Sequence, residues 1–272
     1  MLFLGFSQLT CVCEKDNKSK VILSNSEETY INWLTALESR HLTNLKFSEV
    51  TRALRALSSA YVQRRHTLSR GGALNGAGKR AAFALFYGPL HFLIVQDLVH
   101  RLRLQTPKTI LDLGCGTGAA GAAWALTTTS NPRIIGIDRH PWSIAETRWT
   151  CKHLNLKSVL RTTDLVRLHR PKKPFGIVAA YILNELNKSQ RTTVLHTLFN
   201  WASDGVPLLI IEPISKTVNP WWDDVAQMAV NLGGRCDQWR WSANFPPLLN
   251  KLAHAAGLNH QKVAARSMLI NR

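Results

Sequence analysis

A glycine-rich loop in the middle of the chain has residue types and spacing that suit a nucleotide-like ligand. The stretch "ILDLGCGTGAAG" places Asp112, Gly114, Gly116 and Gly118 at the end of a short apolar run. Glycines at such a position let the backbone turn tightly and approach a nucleotide closely. Gly116, Gly118 and Gly121 also fit the dinucleotide pattern G-x-G-x-x-G, so the loop by itself leaves the ligand open. A glycine-rich turn with a purely structural role is the remaining alternative.

Asp112 favours one of these ligands through its charge. A carboxylate two residues before the first glycine would repel a pyrophosphate, whereas S-adenosylmethionine carries an ammonium and a sulfonium and no phosphate. The sequence therefore predicts that Asp112, Gly114, Gly116 and Gly118 belong to a binding site for S-adenosylmethionine.

Two further aspartates end the next two apolar runs. Asp138 closes "RIIGID", and its distance from the loop suits a carboxylate that accepts hydrogen bonds from both ribose hydroxyls. Asp164 follows "SVLRTT" and is predicted to accept a hydrogen bond from the adenine amino group. Either residue could instead cap the helix that follows it.

The elements that position these residues can be inferred from the alternation of patterns after Pro107. Strand-like runs alternate with helical ones: "TILDLG", "RIIGID", "SVLRTTD", "FGIVAAYIL" and "PLLIIEP" are the strand-like runs. This order predicts βαβ units and a mostly parallel sheet buried on both faces. Ligands of such sheets bind outside the carboxyl ends of the strands, where the three aspartates are expected to lie.

The first third of the chain has a helical pattern instead. Apolar residues recur three or four positions apart between residues 26 and 104, apart from a glycine-rich break at residues 69–80. Gly88-Pro89 is expected to kink or restart the helix that follows the break. We therefore divide the chain into a basic helical N-terminal part, residues 1–105, and an α/β domain, residues 106–272.

The glycine loop and the three strand-end aspartates together resemble the class I S-adenosylmethionine-dependent methyltransferases. The resemblance implies a Rossmann-like seven-stranded methyltransferase sheet with helices on both faces, S-adenosyl-L-methionine as cofactor, and methyl transfer as the reaction.

A narrower resemblance extends over more of the chain. The stretches "RAAFALFYGPLHFLIVQDLVHRL", "LDLGCGTGAAGAAWAL", "AAYILNEL" and "LLIIEP" are similar to those of the methyltransferase-like proteins of the mitochondrial small ribosomal subunit and their bacterial relatives. In that family a helical part precedes the methyltransferase fold, and the partner is small-subunit ribosomal RNA or its assembly. Mitochondrial members carry cysteines for an iron–sulfur cluster, whereas Cys236 is the one cysteine here after Glu212. We therefore expect no metal cluster.

Asn184 and Glu185 end the fourth strand-like run and are the candidate catalytic residues. Methyl transfer mainly requires that the acceptor be held about 3–3.5 Å from the methyl carbon. Amino-group methyltransferases often use Asn or Asp followed by Pro-Pro-Tyr at this strand end, and here Asn184 lacks both the prolines and the aromatic residue. Asn184 is predicted to orient an amine or hydroxyl, and Glu185 to accept a proton or hold the cofactor. Asn187 with Gln190 resembles a capping box and is predicted to be structural.

Three tryptophans lie near the predicted strand ends. Trp221 and Trp222 follow the fifth run and are expected either to stack on a base or, more commonly for tryptophan, to pack in the core. Trp142, just after Asp138, could cover the adenine.

The charge of the chain favours a polyanionic partner. Lys and Arg number 34 against 17 Asp and Glu, a formal net charge of +17. Arg52, Arg55, Arg64 and Arg65 lie in the helical part and are predicted to contact RNA phosphates, although a solvated helical face is the common alternative. Five cysteines without a paired or metal-ligating pattern indicate a reducing compartment, so we expect a cytoplasmic protein without a membrane anchor.

Three functions remain open on the sequence. The leading one is methyl transfer to RNA, most plausibly ribosomal RNA of the small subunit. The others are a ribosome-assembly or RNA-binding factor that keeps the cofactor fold without turnover, and a methyltransferase for a small molecule or a protein.

Overall fold

The computed structural model describes most of the chain from Asn25 onward. The described residues are 25–63, 74–128, 130–172, 174–242, 245–258 and 262–271. Arg64 and Arg65 lie outside these ranges, as does part of the glycine-rich break expected at residues 69–80.

Helices make up the described chain before the first strand. They are α1 (Asn25–Leu42), α2 (Phe47–Gln63), α3 (Ala77–Ala82) and α4 (Gly88–Arg101). The residues between α3 and α4, Phe83–Tyr87, form a π-helical segment, and the Gly88 N–H donates to the Phe83 carbonyl five residues back. Pro89 has no N–H to donate, so the regular hydrogen-bond ladder is interrupted here. The break expected at Gly88-Pro89 is thus a local change of helix type.

The α/β part alternates strands and helices as the sequence predicts. Its strands are β1 (Thr109–Leu113), β2 (Arg133–Asp138), β3 (Ser158–Thr162), β4 (Gly176–Ala180), β5 (Leu208–Glu212), β6 (Arg235–Ser242) and β7 (Lys262–Ile270). Its helices are α5 (Ala119–Ala125), α6 (Pro141–His153), α7 (Lys188–Ser203), α8 (Trp222–Asn231) and α9 (Pro247–Ala255). The strands form one sheet in the order β3-β2-β1-β4-β5-β7-β6. The predicted Rossmann-like seven-stranded sheet is confirmed.

The sheet is parallel from β3 to β5 and antiparallel at its other edge. The β1–β2, β1–β4, β2–β3 and β4–β5 pairs are parallel. In contrast, β7 runs antiparallel to both of its neighbours, β5 and β6. Parallel strands bring their carboxyl ends to one edge, so the loops that follow β1 to β5 meet there.

Both faces of the sheet are buried along its central strands. Along β5, Leu208 and Ile210 pack on one face, and Leu209 and Ile211 pack on the other, because successive side chains of a strand point in opposite directions. Helices α7 and α8 cover the first face. The second face packs against α5, α9 and the N-terminal helices.

The N-terminal helices share a hydrophobic core with the sheet. Trp33 of α1, Leu54 of α2 and Phe92 of α4 are fully buried in the same cluster as Ile110 of β1 and Val178 of β4. The helices therefore form part of the layer that covers one face. The division of the chain at residue 105 stays a prediction.

One continuous helical run, Ala77–Arg101, is long and apolar enough to cross a membrane by length and composition. Within the protein, 72% of its most apolar window is buried. This run packs on α5 and on the sheet, as a core helix does.

Candidate active site

A cleft of about 480 Å³ opens outside the carboxyl ends of the strands and contains most of the predicted site residues. It is lined by Gly114, Gly116, Asp138 and Asp164 from the loops after β1, β2 and β3. Asn184 and Glu185, after β4, also line it. The fold therefore brings together residues that lie up to about 70 positions apart in the sequence.

The glycine loop needs glycine for two reasons. Gly114, Gly116 and Gly118 have φ angles of 63°, 55° and 78°, in the left-handed region that disfavours side chains. There is also no room for a Cβ atom: one on Gly114 would lie 2.3 Å from Ile182 Cγ1, and one on Gly118 would lie 2.9 Å from Thr147 Cγ2. Gly118 begins α5 and, unlike the other two glycines, does not line the cleft.

Asp112 stabilises this loop through a buried hydrogen bond. Its carboxylate is buried, and Oδ2 accepts the Gly121 N–H at 2.9 Å, which ties the end of β1 to the first turn of α5. Burial raises the pKa of Asp112 to about 7, the Gly121 hydrogen bond lowers it, and the charge of Asp138 raises it. Asp112 lies outside the lining of the cleft. It acts on the site through the loop and through its charge, and its predicted cofactor role stays a prediction.

Asp138 lies at the cleft surface, where the sequence predicts a ribose-binding carboxylate. Its Oδ2 accepts the Gly116 N–H at 3.0 Å and its Oδ1 accepts the His140 N–H at 2.8 Å. Burial raises the pKa of Asp138, while these two hydrogen bonds lower it. Each carboxylate oxygen has two lone pairs, so both oxygens keep the capacity to accept a hydroxyl group.

Asp164 caps the turn that follows β3 and also lines the cleft. Its Oδ1 accepts the Val166 N–H at 3.1 Å and caps the 3₁₀ turn Leu165–Arg167. The same residue lines the cleft two strands away from the glycine loop. The capping interpretation is confirmed, and the contact with adenine stays a prediction.

Asn184 is fixed by a residue that lies 28 positions further along the chain. Asn184 and Glu185 end the 3₁₀ turn Leu183–Glu185 that follows β4. The Asn184 backbone N–H donates to Glu212 Oε1 at 3.2 Å, and its side-chain Nδ2 donates to Glu212 Oε2. Glu212 is fully buried at the end of β5 and pairs in register with the buried Arg266 of β7.

Helix α7 holds the other end of this turn. Asn187 and Gln190 form the predicted capping box, with the Gln190 N–H donating to Asn187 Oδ1 at 2.9 Å, so its structural role is confirmed. Arg191 Nη1 donates to the Leu186 carbonyl at 2.8 Å. The turn that carries Asn184 is therefore held from both sides.

The sequence prediction missed the aromatic residues of the cleft, among them His91 and Tyr181. Their rings stack with centroids 4.1 Å apart and an interplanar angle of 16°, and both line the cleft. Tyr181 has a φ of 59°, which is uncommon for a residue with a side chain. Tyr181 lies within the stretch "AAYILNEL", but no local pattern could reveal a ring partner on α4.

The tryptophans near the strand ends pack against other side chains of the protein. Trp222 is buried against α7 and the sheet, 5.8 Å from Trp221 between ring centroids, and the Arg266 guanidinium lies 5.1 Å from its ring. The core-packing interpretation of Trp222 is therefore correct. Trp142 packs edge-on against Phe83 and is not among the residues that line the cleft.

Of the four arginines predicted to contact RNA, two lie in the described part of the chain. Arg52 and Arg55 are exposed on α2. Arg55 Nη2 donates to the Ala255 carbonyl of α9, which satisfies one donor and leaves the charge unneutralised. Among the described residues, no group of three or more His, Cys, Asp or Glu side chains is arranged to hold a metal ion.

The residues at the β1, β2 and β3 end of the cleft fit S-adenosylmethionine. The backbone at Gly114 and Gly116 lies at the cleft surface without side chains, as close contact with a ligand requires. The carboxylates of Asp138 and Asp164 suit hydroxyl and amino donors and would repel phosphates. Ser143 adds a buried Oγ that lines the cleft and has no hydrogen-bond partner among the described residues.

A family model described as "Methyltransferase domain" matches residues 110–205. The match runs from β1 through α7 and includes the glycine loop, Asp138, Asp164 and Asn184. No curated protein sequence matches the chain.

Several solved structures are similar to this chain at low sequence identity. The magnesium protoporphyrin IX methyltransferase of Synechocystis PCC 6803, with bound S-adenosylmethionine, is 13% identical over 85% of this chain and 99% of that chain, with a TM-score of 0.47. The N-methyltransferase NodS of Bradyrhizobium japonicum WM9 is 16% identical over 76% and 97%, with a TM-score of 0.47. A putative RNA methyltransferase of Pyrococcus horikoshii is 11% identical over 68% and 85%, with a TM-score of 0.45.

Residues 110–205 therefore match a methyltransferase domain, and the cleft that they line fits S-adenosylmethionine as the methyl donor.

Proposed function

We propose that this S-adenosylmethionine-dependent methyltransferase acts on RNA, and that its substrate is ribosomal RNA of the small subunit. The net charge of +17 supports a polyanionic substrate. The resemblance to the small-ribosomal-subunit family supports the choice of ribosomal RNA. A cytoplasmic location goes with this proposal.

The observation that carries the proposal is that helix α2 has two exposed arginines and also contributes a residue to the cleft. Arg52 and Arg55 are exposed and lie three residues apart, on one side of the helix. Tyr61, near the end of the same helix, lines the cleft. At 1.5 Å per residue, the two arginines lie about 14 and 9 Å along the axis from Tyr61. Arg52 lies about two and a half turns before Tyr61 and projects from the opposite side of α2, so an RNA strand held there reaches the cleft by passing around the helix.

The residues at the β4 end of the cleft have simple roles in this reaction. When bound, the cofactor supplies a methyl group on a positively charged sulfur, which an acceptor lone pair can attack. Asn184, fixed by Glu212, orients the acceptor. Glu185 lines the cleft beside it and accepts the proton that the acceptor releases. Few reactive groups are required, because holding the two reactants in line provides most of the rate enhancement.

The RNA surface can be tested by reversing its charge. We expect the Arg52→Glu/Arg55→Glu variant to bind RNA more weakly, with a salt dependence whose slope is smaller by about 1.4, at about 0.7 per lost contact to a single strand. Lys108→Glu/Arg133→Glu is the matched control. It changes the net charge equally, but its two exposed residues lie at the amino ends of β1 and β2, away from the cleft. Equal losses in both variants would mean that net charge alone attracts RNA, and α2 would then have no particular role.

A further inference from the structure

The strand order divides the cleft into two halves. Neighbouring strands lie about 4.8 Å apart, so the loops after β3 and β1 are separated by about 10 Å. The first half of the cleft lies outside β3, β2 and β1, and it contains the predicted cofactor residues that line the cleft. The second half lies outside β4, β5 and β7, and the distance from β1 to β7 adds about 14 Å to the width of the cleft. Lys262 and Ala264 of β7 line this second half, which is wide enough for an acceptor group.

Aromatic rings form one wall of the cleft, which runs from Phe83 beside Gly116 of the glycine loop to Tyr181 in the second half. We define the aromatic wall as Tyr61, Tyr87, His91 and Tyr181, all of which line the cleft. Tyr61 and Tyr87 meet edge to face at 5.2 Å, and Tyr87 lies 5.9 Å from His91. His91 then stacks on Tyr181 at 4.1 Å. Such a wall suits stacking against a flat π-system.

The backbone at Tyr181 is strained in order to place its ring in this wall. A φ of 59° costs about 1–2 kcal/mol for a residue with a side chain. The conformation is held by the Tyr181 N–H, which donates to the Ile211 carbonyl at 2.8 Å, and by the stack on His91. Strain of this kind occurs preferentially at functional sites.

The wall also presents polar atoms to the cleft. Neither the Tyr181 hydroxyl nor the ring nitrogens of His91 have a hydrogen-bond partner among the described residues. Burial lowers the pKa of His91 to about 3, so its ring is neutral and offers one donor and one acceptor. A heterocycle with ring nitrogens or an exocyclic amine can pair with such groups.

Tyr181 supplies an aromatic ring that the sequence pattern lacks after Asn184. Amine-orienting methyltransferases place the ring three residues after the Asn or Asp, whereas here a ring lies three residues before Asn184. Both residues line the cleft, and Asn184 is fixed by Glu212. An aromatic ring and an amide side chain therefore border the same part of the cleft.

We propose that the second half of the cleft binds a planar, amine-bearing heteroaromatic ring, packed on the His91–Tyr181 pair and oriented by Asn184. This rests on the proposed function, and it identifies the acceptor as a nucleobase nitrogen and excludes a ribose hydroxyl. The nitrogen lone pair forms the new N–C bond while the S–C bond breaks and its electron pair passes to the sulfur. The nitrogen then loses one proton to Glu185 or to water.

Saturation-transfer NMR can test the pocket without turnover. The protein is saturated with S-adenosylhomocysteine, and free cytidine and guanosine are the probes. We expect stronger saturation of the base protons than of the ribose protons. Tyr181→Leu and His91→Leu should each weaken nucleoside binding about 5- to 150-fold, the range that corresponds to a stacking contribution of about 1–3 kcal/mol. Tyr181→Phe keeps the ring and should stay within a few-fold of the wild type.

Three results would overturn the proposal: no nucleoside binding to the wild type, predominant saturation of ribose protons, or unchanged binding in both leucine variants. A melting-temperature increase with S-adenosylhomocysteine shows that each variant is folded and binds cofactor. Failure of the proposed RNA function would appear separately, as absence of transferred methyl from RNA while nucleosides still bind. Methyl groups found on ribose would keep the RNA function and refute the ring pocket.

Discussion

Replacing Gly114 with alanine should disturb the cofactor loop and the acceptor turn together. The new Cβ would lie 2.3, 2.6 and 2.8 Å from Cγ1, Cδ1 and Cβ of Ile182, whereas ordinary contacts begin at 3.4 Å. Ile182 must therefore retreat by about 1.1 Å, the difference between 3.4 and 2.3 Å. Because Ile182 lies between Tyr181 and Asn184, the acceptor turn moves with it.

The expected magnitude can be separated into a backbone part and a contact part. Gly205→Ala is the matched control, because Gly205 has a φ of 79° and nothing within 4 Å of its new Cβ. It should lose about 1–2 kcal/mol of unfolding free energy from backbone strain alone. Gly114→Ala should lose about 1–3 kcal/mol more through overpacking. A displacement of about 1 Å at the acceptor turn should also lower kcat about 100-fold.

Urea unfolding and calorimetric titration with S-adenosylmethionine measure both effects. Gly205→Ala should bind the donor as the wild type does, and Gly114→Ala should bind it more weakly. Adding Ile182→Ala to Gly114→Ala removes the two closest contacts and leaves the one at 2.8 Å, so we expect partial recovery of stability and affinity. If Gly114→Ala is no more harmful than Gly205→Ala, or if Ile182→Ala adds its own loss without recovery, the proposed link between the loop and the turn is wrong.

Three other changes have defined outcomes. Donor binding near pH 6.5 should release a proton from Asp112, because its pKa lies near 7 and a cationic ligand favours the carboxylate. Calorimetry in buffers of different ionisation enthalpy detects this proton, and its persistence in Asp112→Asn would assign it to another group. Burial opposes the ionisation of Glu146, but the hydrogen bonds and charges of His41 and Arg40 together outweigh burial and lower the Glu146 pKa below 4.5. The stabilisation is therefore complete above pH 4.5 and is lost as pH falls through the folded-state pKa. Glu146→Gln should cost about 1.5–3 kcal/mol at pH 7 and flatten the acid side of the stability curve in urea unfolding, and an unchanged curve would contradict this. Asn187→Ala should cost about 1 kcal/mol through loss of the cap, with donor affinity unchanged; a large loss of affinity would show that this residue contacts the ligand.

The parts of the fold that follow local rules were predictable. The alternation of short apolar runs with helical ones gave β1 to β5, and the Asn187–Gln190 spacing gave the start of α7. Glycines with positive φ at positions 114, 116 and 118 follow from the need for a tight turn after β1. Each of these depends on residues that are close in the sequence.

The parts that depend on distant contacts were not predictable. The tie between Asn184 and Glu212 joins two strand ends, and the stack of Tyr181 on His91 joins β4 to a helix of the N-terminal part. Asp112 was predicted from its charge to act on the ligand, but its nearest partner is the Gly121 N–H. The strands β6 and β7 pair antiparallel, and a search for continuous apolar runs does not locate them, because β6 is mostly polar and Arg266 and Ser267 interrupt β7.

Transfer of a labelled methyl group tests the proposed function most directly. The protein is incubated with methyl-labelled S-adenosylmethionine and with separated cell RNA, protein and metabolites, and an Asp138→Ala variant serves as the control for cofactor binding. We expect label in RNA, concentrated in small-subunit ribosomal RNA, and little label with the variant. Label in the protein or metabolite pool would contradict RNA as the substrate. Absence of label from all three pools, with donor binding intact, would contradict methyl transfer itself.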